Sequence, residues 1–129
     1  MSEIGPPGSI VWQDLTVGDA AALADFYTAV VGWEAQADEN EGGDFHIRIP
    51  GQAKPVAGIC YARGVNANLP PHWLVYVSVE DLAESAARCA ELGGQVVDGP
   101  RLVGAEEFCV IQDPAGAYLA LIGPGPEAA

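Results

Sequence analysis

The sequence predicts an α+β fold of two βαβββ modules within one domain, and three observations carry that prediction. The chain has 129 residues, half of them hydrophobic and 18% charged, which is the size and composition of one domain with its own core. Each half runs through the same order of elements: a strand, an amphipathic helix, then three strands. Sliding one half onto the other at a spacing of 62 pairs Val17 with Val79, Asp19 with Asp81, Ala21 with Ala83, Ala24 with Ala86 and Gly32 with Gly94. Repeated element order with such matches is the mark of an internal duplication.

Residues 10–17 are β-rich and bounded by turn formers, so they read as the first strand. A helix follows from Asp19, where Leu23, Phe26, Tyr27, Val30 and Val31 fall on one helical face and Gly32 is a natural stop. Phe26 and Tyr27 are expected in the core. Residues 33–37 form a short strand and 38–43 an acidic turn. Phe45, Ile47 and Ile49 alternate with His46 and Arg48 in a third strand that ends at Pro50-Gly51, and 56–62 form a fourth. This first module covers about 9–62, and residues 63–71, with two asparagines and two prolines, read as a linker.

The second module covers about 72–123. Residues 73–79 alternate as a strand, and Asp81-Leu82-Ala83-Glu84 has the form of a capping box. The helix behind it runs to Gly93-Gly94 with Leu82, Ser85, Cys89 and Leu92 on one face. Strands follow at 95–98 and 106–112, then the turn Asp113-Pro114-Ala115-Gly116, then a last strand at 117–122. The Gly/Pro-rich tail 123–129 is expected to fray.

Charge excludes whole classes of partner. The net charge is −13, with 18 acidic residues against Arg48, Lys54, Arg63, Arg88 and Arg101. Such a chain repels phosphate backbones and anionic lipid, which argues against nucleic-acid and membrane-surface roles. No apolar run approaches the ~18 residues that span a bilayer. The first eight residues lack both a basic and an apolar region, so they do not read as a signal peptide. Cys60, Cys89 and Cys109 are odd in number and contain no C-x-x-C, which suits buried free thiols in a reducing cytoplasm.

The run from Trp12 to Asp19, with Asp25-Phe26-Tyr27 and Val31-Gly32-Trp33, resembles the vicinal oxygen chelate superfamily of glyoxalase I, extradiol dioxygenases and bleomycin-resistance proteins. Val77 to Asp81, Glu91 to Gly94 and Asp113 to Gly116 resemble the same superfamily in the second half. The resemblance covers residues 9–123. It implies two βαβββ modules whose curved mixed sheets surround a shared cavity, in a homodimer. It also implies metal-ligand positions on the first and fourth strands of each module. These fall on Trp12, Gly58, Leu74 and Ala120, and a slip of one residue offers only Gln13 as a weak donor. A divalent site needs three or four N, O or S donors, so no metal and no cofactor are expected.

Strand parity then predicts what lines the cavity. Trp12, Asp14 and Thr16 face inward from strand one, His46 and Arg48 from strand three, Gly58 and Cys60 from strand four. From the second module come Leu74, Tyr76, Ser78, Tyr118, Ala120 and Ile122. The expected ligand contacts are Trp12, Asp14, Arg48, Cys60, Leu74, Tyr76, Ser78 and Tyr118, an aromatic wall with few polar points. Alternatives stand beside these: Trp12 could fill the metal's space, and Asp14 could cap a turn. Arg48 could fork onto a substrate carboxylate or pair internally with Asp14 or Glu107. His46 could be a general base or a solvated edge histidine, and His72 reads as linker surface.

Two functions fit. One is a metal-free protein that binds an aromatic or cationic organic molecule, with the acidic charge favouring a cation. The other is a lyase, isomerase or hydroxylase-like enzyme using Asp14, His46 and Tyr76. It requires Asp14 and His46 to approach one point within about 3 Å. No nucleophile elbow, P-loop, dinucleotide fingerprint or H-E-x-x-H motif is present.

Overall fold

In a computed structural model that describes residues 5–126, the chain runs β1 (Ile10–Val17), α1 (Ala20–Val31), β2 (Glu34–Asp38), β3 (Asp44–Arg48) and β4 (Pro55–Tyr61). It then repeats the order as β5 (Trp73–Ser78), α2 (Leu82–Glu91), β6 (Gln95–Val103), β7 (Glu106–Gln112) and β8 (Tyr118–Pro124). The α+β class and the two βαβββ modules are as the sequence predicts. The chain forms two compact units, residues 13–73 and residues 5–12 with 74–126. The division falls inside β1, after Trp12.

In the 13–73 unit the strand order is β2-β3-β4-β1, with β1 and β4 parallel and the other pairs antiparallel. Asp19 caps α1, its Oδ1 accepting from the Ala22 N–H at 3.0 Å, and Gly32 closes it in the left-handed region at φ 86°. Ala20 and Ala24 are the buried residues of α1 and let it lie close on Ile47, Ala57 and Ile59. Leu23 and Tyr27 join that core, but Phe26, Val30 and Val31 are 54%, 65% and 50% exposed. The core placement of Phe26 is corrected, and the apolar face it shares with Val30 and Val31 is not the buried one. Asp25 is the only charged residue of α1, so its apolar periodicity marks no single stripe. Trp73 donates from Nε1 to the Tyr27 hydroxyl at 3.0 Å and closes an aromatic group with Trp33.

In the other unit the order is β5-β8-β7-β6, again with the β5–β8 pair parallel. Asp81 caps α2 through the Glu84 N–H at 3.1 Å, as the capping pattern predicts. Leu82, Cys109 and Leu121 form the core with Val77, Val79, Val96, Ile111 and Leu119. Leu92, expected on the buried face, stands beyond the last turn and is 70% exposed. β6 runs on to Val103 instead of stopping at 98, because bulges between Val96 and Arg101 carry the strand past Gly99-Pro100. β8 likewise extends to Pro124, and the Gly125 N–H donates to the Ala105 carbonyl at 2.9 Å, so the expected fraying does not begin at 123. Residues 127–129 lie outside the described residues.

The parallel registers repeat at a spacing of 62. Asp14, Leu15 and Thr16 stand opposite Gly58, Ile59 and Cys60, while Tyr76, Val77 and Ser78 stand opposite Ala120, Leu121 and Ile122. The duplication read from scattered identities is therefore a duplication of backbone pairing.

Candidate functional site

In the 13–73 unit one sheet face is apolar and packs on α1, and the other carries the polar residues. Ile47, Ala57 and Ile59 define the α1 side, so alternation puts His46 and Gly58 on the opposite side. There Asp14, Gly58, His46 and Gln36 form one row across four strands. Gly58 contributes no side chain, so the row has a bare centre flanked by a carboxylate and an imidazole. Thr16 and Cys60 form the next row with Asp44 and Asp38; Thr16 is buried and Cys60 half-buried.

His46 has a partner on the edge strand. Its Nε2 lies 3.2 Å from Oδ2 of Asp38 on the edge strand, a diagonal neighbour in the β2–β3 register. Asp38, which the sequence places in a turn, ends β2. The two side chains, with Gln36, Ala37 and Glu39, line a pocket of about 280 Å³. The pair the structure gives His46 is thus with Asp38.

Arg48, two residues on, sits half-buried where the β3–β4 register shifts, and its cross-strand neighbour is Glu34. Among the described residues the Arg48 side chain has no ion-pair partner, so its internal pairing is not borne out within this unit. Ile49, predicted in the strand, lies past its end and is exposed.

The equivalent face of the other unit is filled by its own side chains. Tyr76, Ala120 and Val110 form the row that matches Asp14, Gly58 and His46, and Ser78, Ile122 and Phe108 form the next. The Tyr76 and Phe108 rings are 5.8 Å apart, and the Arg101 guanidinium lies 4.8 Å above Phe108 while bonding Asp98 at 2.6 Å. Ser78 is buried and its hydroxyl donates to the Gly5 carbonyl at 3.2 Å, so it anchors the N-terminal segment. Leu74 is only 1% exposed. Trp12 and Tyr118 are half-buried on β1 and β8, Tyr118 opposite Gln112. The Phe108–Arg101–Asp98 group is hidden in the sequence because Gly99-Pro100 interrupts the strand pattern before Arg101.

The positions implied for metal ligands carry no donor side chains. Trp12 is an indole, Gly58 has no side chain, and Leu74 and Ala120 are buried hydrocarbon. The one neighbouring donor, Gln13, has its amide nitrogen on the Val56 carbonyl. Among the described residues no three of His, Cys, Asp or Glu assemble into a metal-holding group. These residues do not fit the superfamily's metal. Elsewhere, burial pushes the Cys109 thiol up to about 11, with Cys89, Glu107 and Asp98 adding to the shift. Among the described residues no helix is long and apolar enough to cross a membrane.

Comparison with known proteins agrees with this architecture. The family model of the glyoxalase-like domain matches residues 10–122. CFP32 of Mycobacterium tuberculosis (strain CDC 1551 / Oshkosh) is 30% identical over 126 residues, which are 96% of this chain and 47% of that protein. The anthracycline biosynthesis protein DnrV of Streptomyces peucetius is 31% identical over 128 residues, covering 89% of this chain and 46% of DnrV. The chain thus spans about half the length of the curated relatives it matches. Among solved structures, Streptomyces coelicolor methylmalonyl-CoA epimerase in complex with 2-nitronate-propionyl-CoA superposes with a TM-score of 0.53 at 16% identity, over 94% of this chain and 97% of the epimerase. That likeness is one of fold.

Proposed function

The chain belongs to the glyoxalase-like domain family, and on that premise we propose that it is a metal-free protein that binds a small aromatic or cationic organic molecule. The observation that carries the reading is the contrast between the two repeats. At matching register positions one unit has Tyr76, Ala120 and Val110, while the other has Asp14, the bare Gly58 and His46. A polar row with no side chain at its centre, beside His46 and Arg48, suits a ligand of mixed character. The net charge of −13 favours approach of a cation. A structural neighbour that holds a CoA ester and a relative named for anthracycline biosynthesis support an organic small molecule as the ligand class. Three free thiols suit the cytoplasm, and the functional unit is a homodimer.

A second reading is an acid–base enzyme of lyase, isomerase or hydroxylase-like type, favoured by the Asp38–His46 pair in its pocket. Thermal denaturation of the purified protein against aromatic and amine compounds, with mass spectrometry of the recovered ligand, separates the two. Binding alone raises the melting temperature, because a ligand at about 100 times its Kd adds about 2.7 kcal/mol, and returns the compound unchanged. A chemically altered compound would favour the enzyme. Stabilisation by Ni, Co, Mn, Fe(II) or Zn after chelator treatment, with near-stoichiometric metal content, would overturn the metal-free reading.

A further inference from the structure

We infer that Arg48 anchors an oxyanion of the ligand, a carboxylate or phosphate, on the face of the 13–73 unit turned away from α1. The inference rests on the small-molecule-binding reading above and adds an acidic group to the aromatic or amine-bearing ligand.

The chain holds five basic residues against 18 acidic ones, so an idle arginine needs explaining. Arg63 lies 3.9 Å from Asp44 and over the Tyr61 ring, Arg88 lies 3.8 Å from Glu91, and Arg101 bonds Asp98 and covers Phe108. Lys54 is exposed in the turn between β3 and β4. Arg48 alone of the arginines is half-buried yet makes no ion pair, hydrogen bond or ring contact among the described residues. It stands directly opposite Glu34, and even that carboxylate is not paired with it.

The β3–β4 ladder is irregular at this point. Ile47 pairs with Ala57 but Arg48 pairs with Pro55, so one extra residue of β4 enters the ladder there. The extra residue is Val56 of β4, across the ladder from Arg48, and bulges recur beside binding sites. The corresponding position of the other repeat, two residues after Val110, is Gln112, whose amide donates to the Gly116 carbonyl at 3.2 Å and whose Oε1 accepts from Gln95 at 2.9 Å. Only the 13–73 unit leaves a cation here. A guanidinium offers a planar fork of donors that matches a carboxylate or phosphate. Because the whole chain repels anions, the oxyanion is held at short range by that fork, on a ligand drawn in by its remaining groups.

The test compares aromatic and amine-bearing carboxylic acids with their primary amides, and phenyl phosphate with phenol, by melting temperature and isothermal titration on the wild type, Arg48→Met and Arg48→Lys. The acids should bind more tightly than their amides, and Arg48→Met should lose about tenfold or more in affinity for the acids alone. Arg48→Lys, which keeps charge but not the fork, should fall between. Preference for phenyl phosphate over every acid would assign the oxyanion as phosphate. Equal binding of acids and amides, with Arg48→Lys unchanged, would overturn the anchor and leave the small-molecule reading standing. No shift with any compound on the wild type would overturn both. If Arg48→Met fails to fold, the acid–amide comparison and Arg48→Lys decide the matter.

Discussion

Gly94 is a glycine because of what surrounds it. A Cβ there would stand 2.7 Å from the Cys89 sulfur and 2.8 Å from the Gln112 carbonyl oxygen, and the latter is backbone that cannot step aside. Gly94→Ala should cost about 1–3 kcal/mol in urea unfolding. Gly18→Ala, with nothing within 4 Å, should change stability by less than about 0.5 kcal/mol. The neighbouring Cys109 gives a pH prediction. Its thiol is raised from 9.0 to about 11, chiefly by burial, so the folded state resists ionisation that the unfolded chain accepts. Between these values the unfolded state binds fewer protons, and stability falls as pH rises. The contribution is intact below about 9 and is lost through about 11, at up to about 1.4 kcal/mol per pH unit. Urea titrations at pH 8, 9 and 10 should show a steeper decline for the wild type than for Cys109→Ala; equal slopes would refute the assignment. At this scale the sequence was informative about chemistry and weak on contacts. It marked Asp14, His46 and Arg48 as polar residues of one face. It missed that His46 pairs with Asp38, because that partner lies on a strand edge read as a turn.

The helices and strands were legible where local signals agreed. Asp19 and Asp81 are helix caps in both chemistry and structure, each accepting from a backbone N–H three residues on. Asp19→Ala and Asp81→Ala should each lower stability by about 1 kcal/mol, with Asn restoring most of it, because Asn caps nearly as well as Asp. A loss that Asn does not restore would mean the aspartates act through charge rather than as acceptors. The strand pairing of 62-residue spacing was also legible, since identical registers demand the same alternation in both repeats. Two elements were misread for physical reasons. On α1 alanines bury and larger side chains face out, which periodicity alone does not reveal when nearly every residue is apolar. On β6 Gly99-Pro100 reads as a turn, but bulges absorb it and the strand continues to Val103.

For the whole molecule, charge and exposed apolar surface together bear on assembly. A chain of net charge −13 repels its own copies, so self-association requires a face with few carboxylates and enough apolar area. The outer side of α1 fits that description: Phe26, Val30 and Val31 are at least half exposed, Ala22 and Ala29 lie exposed beside them, and Asp25 is the one charged residue of the helix. The small alanines allow a second helix to approach within about 8–10 Å, with Phe26 of one copy seated over Ala22 and Ala29 of the other. Two such contacts are related by the two-fold axis of an isologous dimer. The proposed homodimer should therefore pair through α1, and its association should strengthen as salt screens the repulsion. Light scattering at tens of micromolar should give close to twice 13.4 kDa, more completely in high salt. Phe26→Glu should return the mass of one chain and keep the circular dichroism spectrum. A wild type that weighs one chain in both salts would end the homodimer proposal. A dimer that Phe26→Glu leaves intact would move the interface away from α1.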